Sequence, residues 1–383
     1  MLTFKGFQRA DGQVGVRNHV AILPLTAALN GIVTEVVKRV PELISFAHTS
    51  SYFQETSPYH DRLIRSLLLH PNYGAIILVG LGYEKDDAKM LAQEYAQKTG
   101  KPIFGTIVIE DGGYEAAVKL CESEARKLLD YTGRQERTDC PLSKIILSEQ
   151  CAGSDACSGL TANQAVGKLS DWLIENGGAT ILTEMEELKG CEEFLAARCS
   201  DPDLADRIRK NIKAWPMQPI HQNVFYSRGG MSNILEKSLG CYNKGGKAPV
   251  SDLIGYAEPV GTRKGLILMD GTAADMESVC GEIAAGSQIV VFTSGNGNPI
   301  GFPGFPVLKV SANPKVFATM GGKGGDMDIN AGTIISDGKT IDDIFEECKE
   351  EFLRLINGGL CACEKKENAG TVIGFHRAAV AFA

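Results

Sequence analysis

The chain has 383 residues, enough for two or three domains, and 44% of them are hydrophobic, as in ordinary globular proteins. Its 47 acidic residues outnumber the 39 basic ones, and the resulting net charge of −8 argues against nucleic acid as the main partner. No long uncharged apolar run is present, which excludes a membrane span and a membrane partner, and the first residues lack the apolar core of a signal peptide, so a cytoplasmic protein is expected.

In chain order, residues 20–23 read as a strand, 31–40 as a helix, and 44–47 as a strand running into His48. A helix over 62–69, a buried strand over 75–79, a helix over 86–99, a strand over 103–109 and a helix over 114–131 follow. Residues 132–142 are polar and carry a proline, which marks a linker between domains at 1–135 and 140–383. The rhythm then repeats, with a strand over 144–148, a helix over 162–176, a strand over 179–183, and helices over 191–199 and 203–213. An irregular span over 214–231 leads to a helix over 232–238 and strands over 265–269, 288–293 and 307–310. Glycine is dense from 295 to 332, and a helix over 341–357 closes the pattern. Strands alternating with helices over short connections predict an α/β protein. The expected fold is two Rossmann-like or flavodoxin-like lobes with largely parallel sheets and long glycine-rich loops.

The stretch 147–169, LSEQCAGSDACSGLTANQAVGKL, places a polar turn between an apolar strand and a helix. In α/β proteins ligands bind at such strand ends, and the free N–H groups of the following helix favour an anion. Cys151 is a candidate soft metal ligand or a buried thiol, and Asp155 either a metal ligand or a helix cap. His48 and Glu84 end two earlier strands in the same way, as a ligand or base and a carboxylate; a loop histidine and a solvated charge are the plainer alternatives. Glu184 ends the strand over 179–183. The Arg17-Asn18 pair suits a carboxylate or sulfonate through the guanidinium fork, or forms a surface ion pair. Asp326 and Asp328 are two residues apart and share a side if extended. Gly295-Asn296-Gly297-Asn298 lacks the Lys-Ser/Thr ending of a phosphate loop. The eleven cysteines are expected to be reduced thiols, and Cys361-x-Cys363, too closely spaced for a zinc knuckle, reads as structural.

The motifs from Gly6 to Asn18, Cys151 to Asp155, Ser158 to Asn163, Gly229 to Gly240, Pro306 to Asn313 and Asp326 to Asn330 occur in order over nearly the whole chain. Together they resemble the large catalytic region of altronate and galactarate dehydratases, a family that includes the large subunit of sulfolactate sulfo-lyase. The resemblance implies a lyase that eliminates water, or sulfite, beside the carboxylate of a sugar acid or small hydroxy acid. It implies a divalent metal, Fe2+ with Mn2+ as the alternative. The matching positions give His48, Glu84 and Cys151 as metal ligands. Arg17, Asn18, Ser154 and Asn163 become contacts to a small anionic substrate, and Lys237, Asp328 and Asp155 the catalytic groups. Family members often carry a small SAF-type domain ahead of this region, so a small SAF-type subunit and a homo- or hetero-oligomer are expected. Departures at Tyr83, Thr49–Phe53, Glu193 and Phe225-Tyr226 leave the substrate and metal open. A sulfo-lyase and a non-catalytic anion-binding subunit stand as alternatives.

Overall fold

The computed structural model describes residues 2–48, 58–216, 234–366 and 372–373. The first α/β unit is a four-stranded parallel sheet in the order Ile44–Ser45, His19–Pro24, Tyr73–Gly80, Ile103–Ile107. Tyr73–Gly80 is buried along its whole length because both faces of the sheet are covered. Side chains alternate across the sheet with period two. Ala75, Ile77 and Val79 therefore meet helices Asn30–Arg39 and Tyr114–Gly133, while Ile76 and Leu78 face the opposite core. Helix Ala88–Thr99 starts at Asp87, whose carboxylate accepts from the Met90 N–H at 2.8 Å, and stops at Gly100 in the left-handed region.

The second unit is a seven-stranded sheet, and every pairing in it is parallel. From edge to edge it runs Val250–Ile254, Gly265–Met269, Ala179–Leu182, Ile146–Cys151, Ile289–Ser294, Val307–Ser311, Ile329–Asn330. The chain enters at the central strand, Ile146–Cys151, builds outward on one side and then returns to build on the other. This reversal is a topological switch point, and the crevice above its strand ends is where such sheets bind ligands. Cys151 closes that central strand.

One hydrophobic core runs through both units. Phe46, Tyr73, Phe302 and Phe305 stack edge-on or tilted across their junction, with ring centroids 5.6–6.0 Å apart. His70 of the first unit lies against Phe305, and its Nε2 is 3.0 Å from the Ser287 carbonyl.

The mixed α/β fold with mostly parallel sheets is as expected, with local differences. The stretch read as a linker contains strand Thr138–Pro141, which pairs antiparallel with Thr3–Gln8. Strand Val250–Ile254 and helix Asp275–Ala284 were not expected. Helix Ile234–Lys244 runs past 238, where the sequence reading ended it, and through Gly240. A side chain at Gly240 would press on Asn163 and on the backbone of Gly159, so glycine serves close packing here and does not end the helix. Most of the irregular span over 214–231, and the Gly229–Ser232 part of its motif, lie outside the described residues. Among the described residues, no helix is long and apolar enough to cross a membrane.

Candidate active site

Above the central strand, Cys151, Glu184, Glu187 and Cys241 are all buried, and their ligand atoms lie within 4.8 Å of one another. Three elements bring them together. Cys151 ends its strand, with its Sγ 3.6 Å from both Glu184 Oε2 and Glu187 Oε2. Glu184 follows strand Ala179–Leu182 in a left-handed conformation (φ 67°), which a residue with a side chain adopts at a cost. That turn starts a one-turn 3-10 helix, Met185–Leu188, and sets Glu187 over Glu184. Helix Ile234–Lys244 supplies Lys237, Cys241 and Lys244, spaced four and three residues apart and therefore on one face.

Two ammonium groups enter the same cluster. Lys237 Nζ lies 2.7 Å from Glu187 Oε2, 3.2 Å from Cys151 Sγ and 2.5 Å from Ser154 Oγ. Lys244 Nζ pairs with Glu184, whose other oxygen accepts from Gln150 Nε2 at 2.9 Å. Gln150 Oε1 in turn accepts from Ser278 Oγ at 2.8 Å.

These contacts shift the charge states. The Cys151 thiol is held well below the usual range, first by the hydrogen bond from Cys241 and then, against burial, by Lys237 and Lys244. Burial pushes Glu187 up to about 8, with Lys237 opposing. It also pushes Glu184 well above the carboxylate range, helped by Cys151. Burial alone would discharge Lys237, but Cys151, Glu187 and Glu184 outweigh it and hold it as an ammonium. Cys151 to Glu187 thus forms a buried network with one thiolate, protonable carboxyls and fixed cations. Two sulfur and two carboxylate donors suit a divalent ion of intermediate softness, so the residues present fit a metal.

A cavity of about 260 Å³ adjoins the cluster. Ser154, Asn163, Lys237, Gly240 and Asn243 are among the residues that line it. Lys237 lines the cavity and also contacts the converging thiols and carboxylates.

The expected site residues separate in space. Cys151, Ser154 and Lys237 meet in the cluster. His48 and Glu84 do not join its converging ligand atoms. His48 is buried on the first unit, with its backbone bonded both ways to the Asn30 amide. Glu84 turns back on its own loop and accepts from the N–H groups of Leu81, Gly82 and Tyr83 at 2.6–3.1 Å. Asp155 is bonded within its own turn. Its Oδ1 accepts from the Cys157 and Ser158 N–H groups at 3.0 Å, and its Oδ2 accepts from Asn313 Nδ2. Asn163 donates to the Gly240 carbonyl and accepts from Thr293 Oγ1, which fixes the cavity wall.

Arg17 is engaged within the protein. All five of its N–H donors are used: two on Glu364, and one each on the carbonyls of Val16, Leu355 and Gly359. Asn18 accepts from Arg9 and donates to the Thr132 carbonyl. Asp328 is likewise engaged away from the cluster, accepting from the N–H groups of Lys309 and Ala362. Asp326 pairs with Lys366, so the two carboxylates do not work together. Of the departures, Tyr83 is exposed and Glu193 pairs with Arg209 at the surface, while Thr49–Phe53 and Phe225-Tyr226 lie outside the described residues.

Glu187, Cys241 and Lys244 were not singled out from sequence. The signal for two of them was the 237, 241, 244 spacing, which a helix ended at 238 conceals. For Glu187 it was the three-residue step from Glu184 within one turn.

Comparison with known proteins agrees with this architecture. Residues 142–379 match the C-terminal domain of D-galactarate/altronate dehydratases, and residues 6–132 the second domain of D-galactarate dehydratase/altronate hydrolase. The chain is 30% identical to altronate dehydratase of Bacillus subtilis, over 95% of this chain and 76% of that protein. It is also 30% identical to (2R)-sulfolactate sulfo-lyase subunit beta of Chromohalobacter salexigens, over 93% of each. Galactarate dehydratase (L-threo-forming) of Escherichia coli is 27% identical over 89% of this chain. The chain therefore belongs to the D-galactarate/altronate dehydratase family, as the ordered sequence motifs implied.

Proposed function

We propose that the protein is a metal-dependent lyase that eliminates water from a sugar acid or small hydroxy acid, with its chemistry at the Cys151–Glu184–Glu187–Cys241 cluster. The observation that carries this reading is Lys237, whose ammonium faces an open cavity and is bonded at the same time to the cluster. Elimination beside a carboxylate needs a proton removed from a weakly acidic carbon and stabilisation of the charge that develops. Lys237 is an ammonium and cannot take that proton. It instead binds the substrate carboxylate and stabilises the enolate. Glu187, pushed up to about 8, exchanges a proton near neutral pH and serves as the acid–base group. Ser154 orients Lys237, and Lys244 holds Glu184 in place. Cys151, Cys241 and Glu184 would hold a divalent ion, Fe2+ in the first instance, which would supply Lewis-acid polarisation of the substrate, and Glu187 stays off the ion as the acid–base group.

A second reading is a sulfo-lyase subunit that expels sulfite from a sulfonated hydroxy acid. It is favoured by the even 93% coverage of the sulfo-lyase beta subunit, which as a subunit also supports a separate partner. The test is anaerobic purification, metal analysis and a panel of aldonates, aldarates and sulfonates, read as 2-keto acid or sulfite release. Release of keto acid, lost in Lys237→Met, supports dehydration. Sulfite release moves the assignment to the second reading. A metal-loaded protein that turns over nothing, with or without a small partner, points to an anion-binding subunit.

A further inference from the structure

A second buried thiol group lies beyond the lyase site. Cys361 and Cys363 flank the start of the short helix Ala362–Lys365, at most 2% exposed, with their Sγ atoms 3.4 Å apart. Cys361 Sγ lies 3.1 Å from Glu364 Oε2, and the Cys361 N–H bonds the same oxygen. Lys309, on strand Val307–Ser311, is fully buried, and among the described residues its Nζ has no hydrogen-bond partner. The charge nearest in effect to that ammonium is Cys363. Nothing in the lyase site uses these three side chains.

A buried ammonium without a partner is costly. A thiolate at Cys363 relieves that cost: Cys363 is held below the usual thiol range first by its contact with Cys361 and then, against burial, by Lys309. Thiolate character sets both nucleophilicity and the ease of oxidation.

The geometry points to Cys361 and Cys363 as a redox-active dithiol, with Cys363 the attacking sulfur, Cys361 the resolving one and a small peroxide the oxidant. The Cys363 thiolate attacks one peroxide oxygen, the O–O bond breaks, and the departing hydroxide takes up a proton to leave as water. The Cys361 sulfur then attacks the sulfenic sulfur and loses its proton. The S–O bond breaks, a second water leaves, and an intrachain disulfide forms. Two thiols are oxidised and one peroxide is reduced. A cavity lined by Asp328, Ala362, Lys365 and Lys366 reaches the segment from the surface, and hydrogen peroxide is close to water in size. The disulfide withdraws the Cys361 thiol from Glu364, the carboxylate that anchors Arg17.

The full-length protein is titrated with hydrogen peroxide, quenched by alkylation and mapped by mass spectrometry. Cys157 and Cys199, half-buried thiols that burial pushes up, serve as internal references. The Cys361–Cys363 disulfide is expected to form at least about tenfold faster than either reference is lost, and Lys309→Met to slow it by about tenfold. In Cys361→Ser, where Lys309 is unchanged, the reaction is expected to stop at a sulfenic acid on Cys363 that a dimedone probe traps. Oxidation of Cys157 or Cys199 ahead of the pair overturns the proposal, as does absence of the Cys363 adduct in Cys361→Ser.

Discussion

Two buried ionic clusters, built from similar residues, have opposite characters. Around Arg17 each donor has one acceptor, and the group is closed: Glu364 and three carbonyls use all five N–H bonds. Around Cys151, two thiols, two carboxyls and two ammonium groups crowd together beside a cavity. There the carboxyls are pushed up and the thiol down, and Glu184 is held at a strained φ of 67°. Burial of charge is common to both. The Cys151 group differs in its displaced protonation states and its access to a cavity, and those features mark chemistry over structure.

The sharpest way to break this contrast is to remove Lys237. Lys237→Met is expected to lower turnover by about 10²–10³-fold with the fold intact, as when a charge-stabilising group is lost; circular dichroism and steady-state kinetics check it together. Unchanged turnover would make the Cys151 cluster as structural as the Arg17 one. Arg17→Met should do the reverse. Leaving Glu364 buried without its partner is expected to cost about 3–5 kcal/mol in urea unfolding, while the Michaelis constant of the folded fraction stays the same.

A smaller, pH-dependent effect belongs to the junction of the units. His70 Nδ1 accepts from the Asn72 N–H and Nε2 faces the Ser287 carbonyl, so the ring is neutral, and burial lowers it to about 3. The unfolded ring, near 6.5, binds the proton first. Stability contributed by the neutral ring is thus complete above about 6.5 and is lost as pH falls toward 3. Denaturant unfolding should weaken across that window by a few kcal/mol, on the order set by the shift, and His70→Gln should flatten the slope. The smallest expected effect is that of Glu84→Gln, which should leave metal content unchanged because Glu84 is turned into its own loop.

What was legible in the sequence follows the same physics. Tyr73–Gly80 and Ile289–Ser294 are buried throughout because both sheet faces are covered, and their apolar runs, Ala75–Val79 and Ile289–Phe292, make them stand out. Val250–Ile254 carries Ser251 and Asp252 and has no such run. Helix Asp275–Ala284 is interrupted by Gly281, needed because the Tyr256 ring packs on it. Cys151, Ser154 and Lys237 were legible because each sits in a distinctive turn or motif. His48 ends the short strand Ala47–His48, which pairs with Val372–Ile373, and Glu84 follows strand Tyr73–Gly80 of the four-stranded sheet; neither belongs to the seven-stranded sheet of Cys151, and strand ends alone do not show which sheet shares a crevice. Arg17 looked like a free fork because its partner Glu364 is 347 residues away.

Cobalt(II) substitution shows most directly whether the thiols and carboxylates around Cys151 form a metal-binding reaction centre, since a thiolate ligand gives an intense sulfur-to-cobalt charge-transfer band. That band is expected in the native chain, lost in Cys151→Ser, and retained in Cys361→Ser and Glu84→Gln. A band unchanged in Cys151→Ser would place the metal elsewhere and leave the Cys151 cluster without a reaction centre.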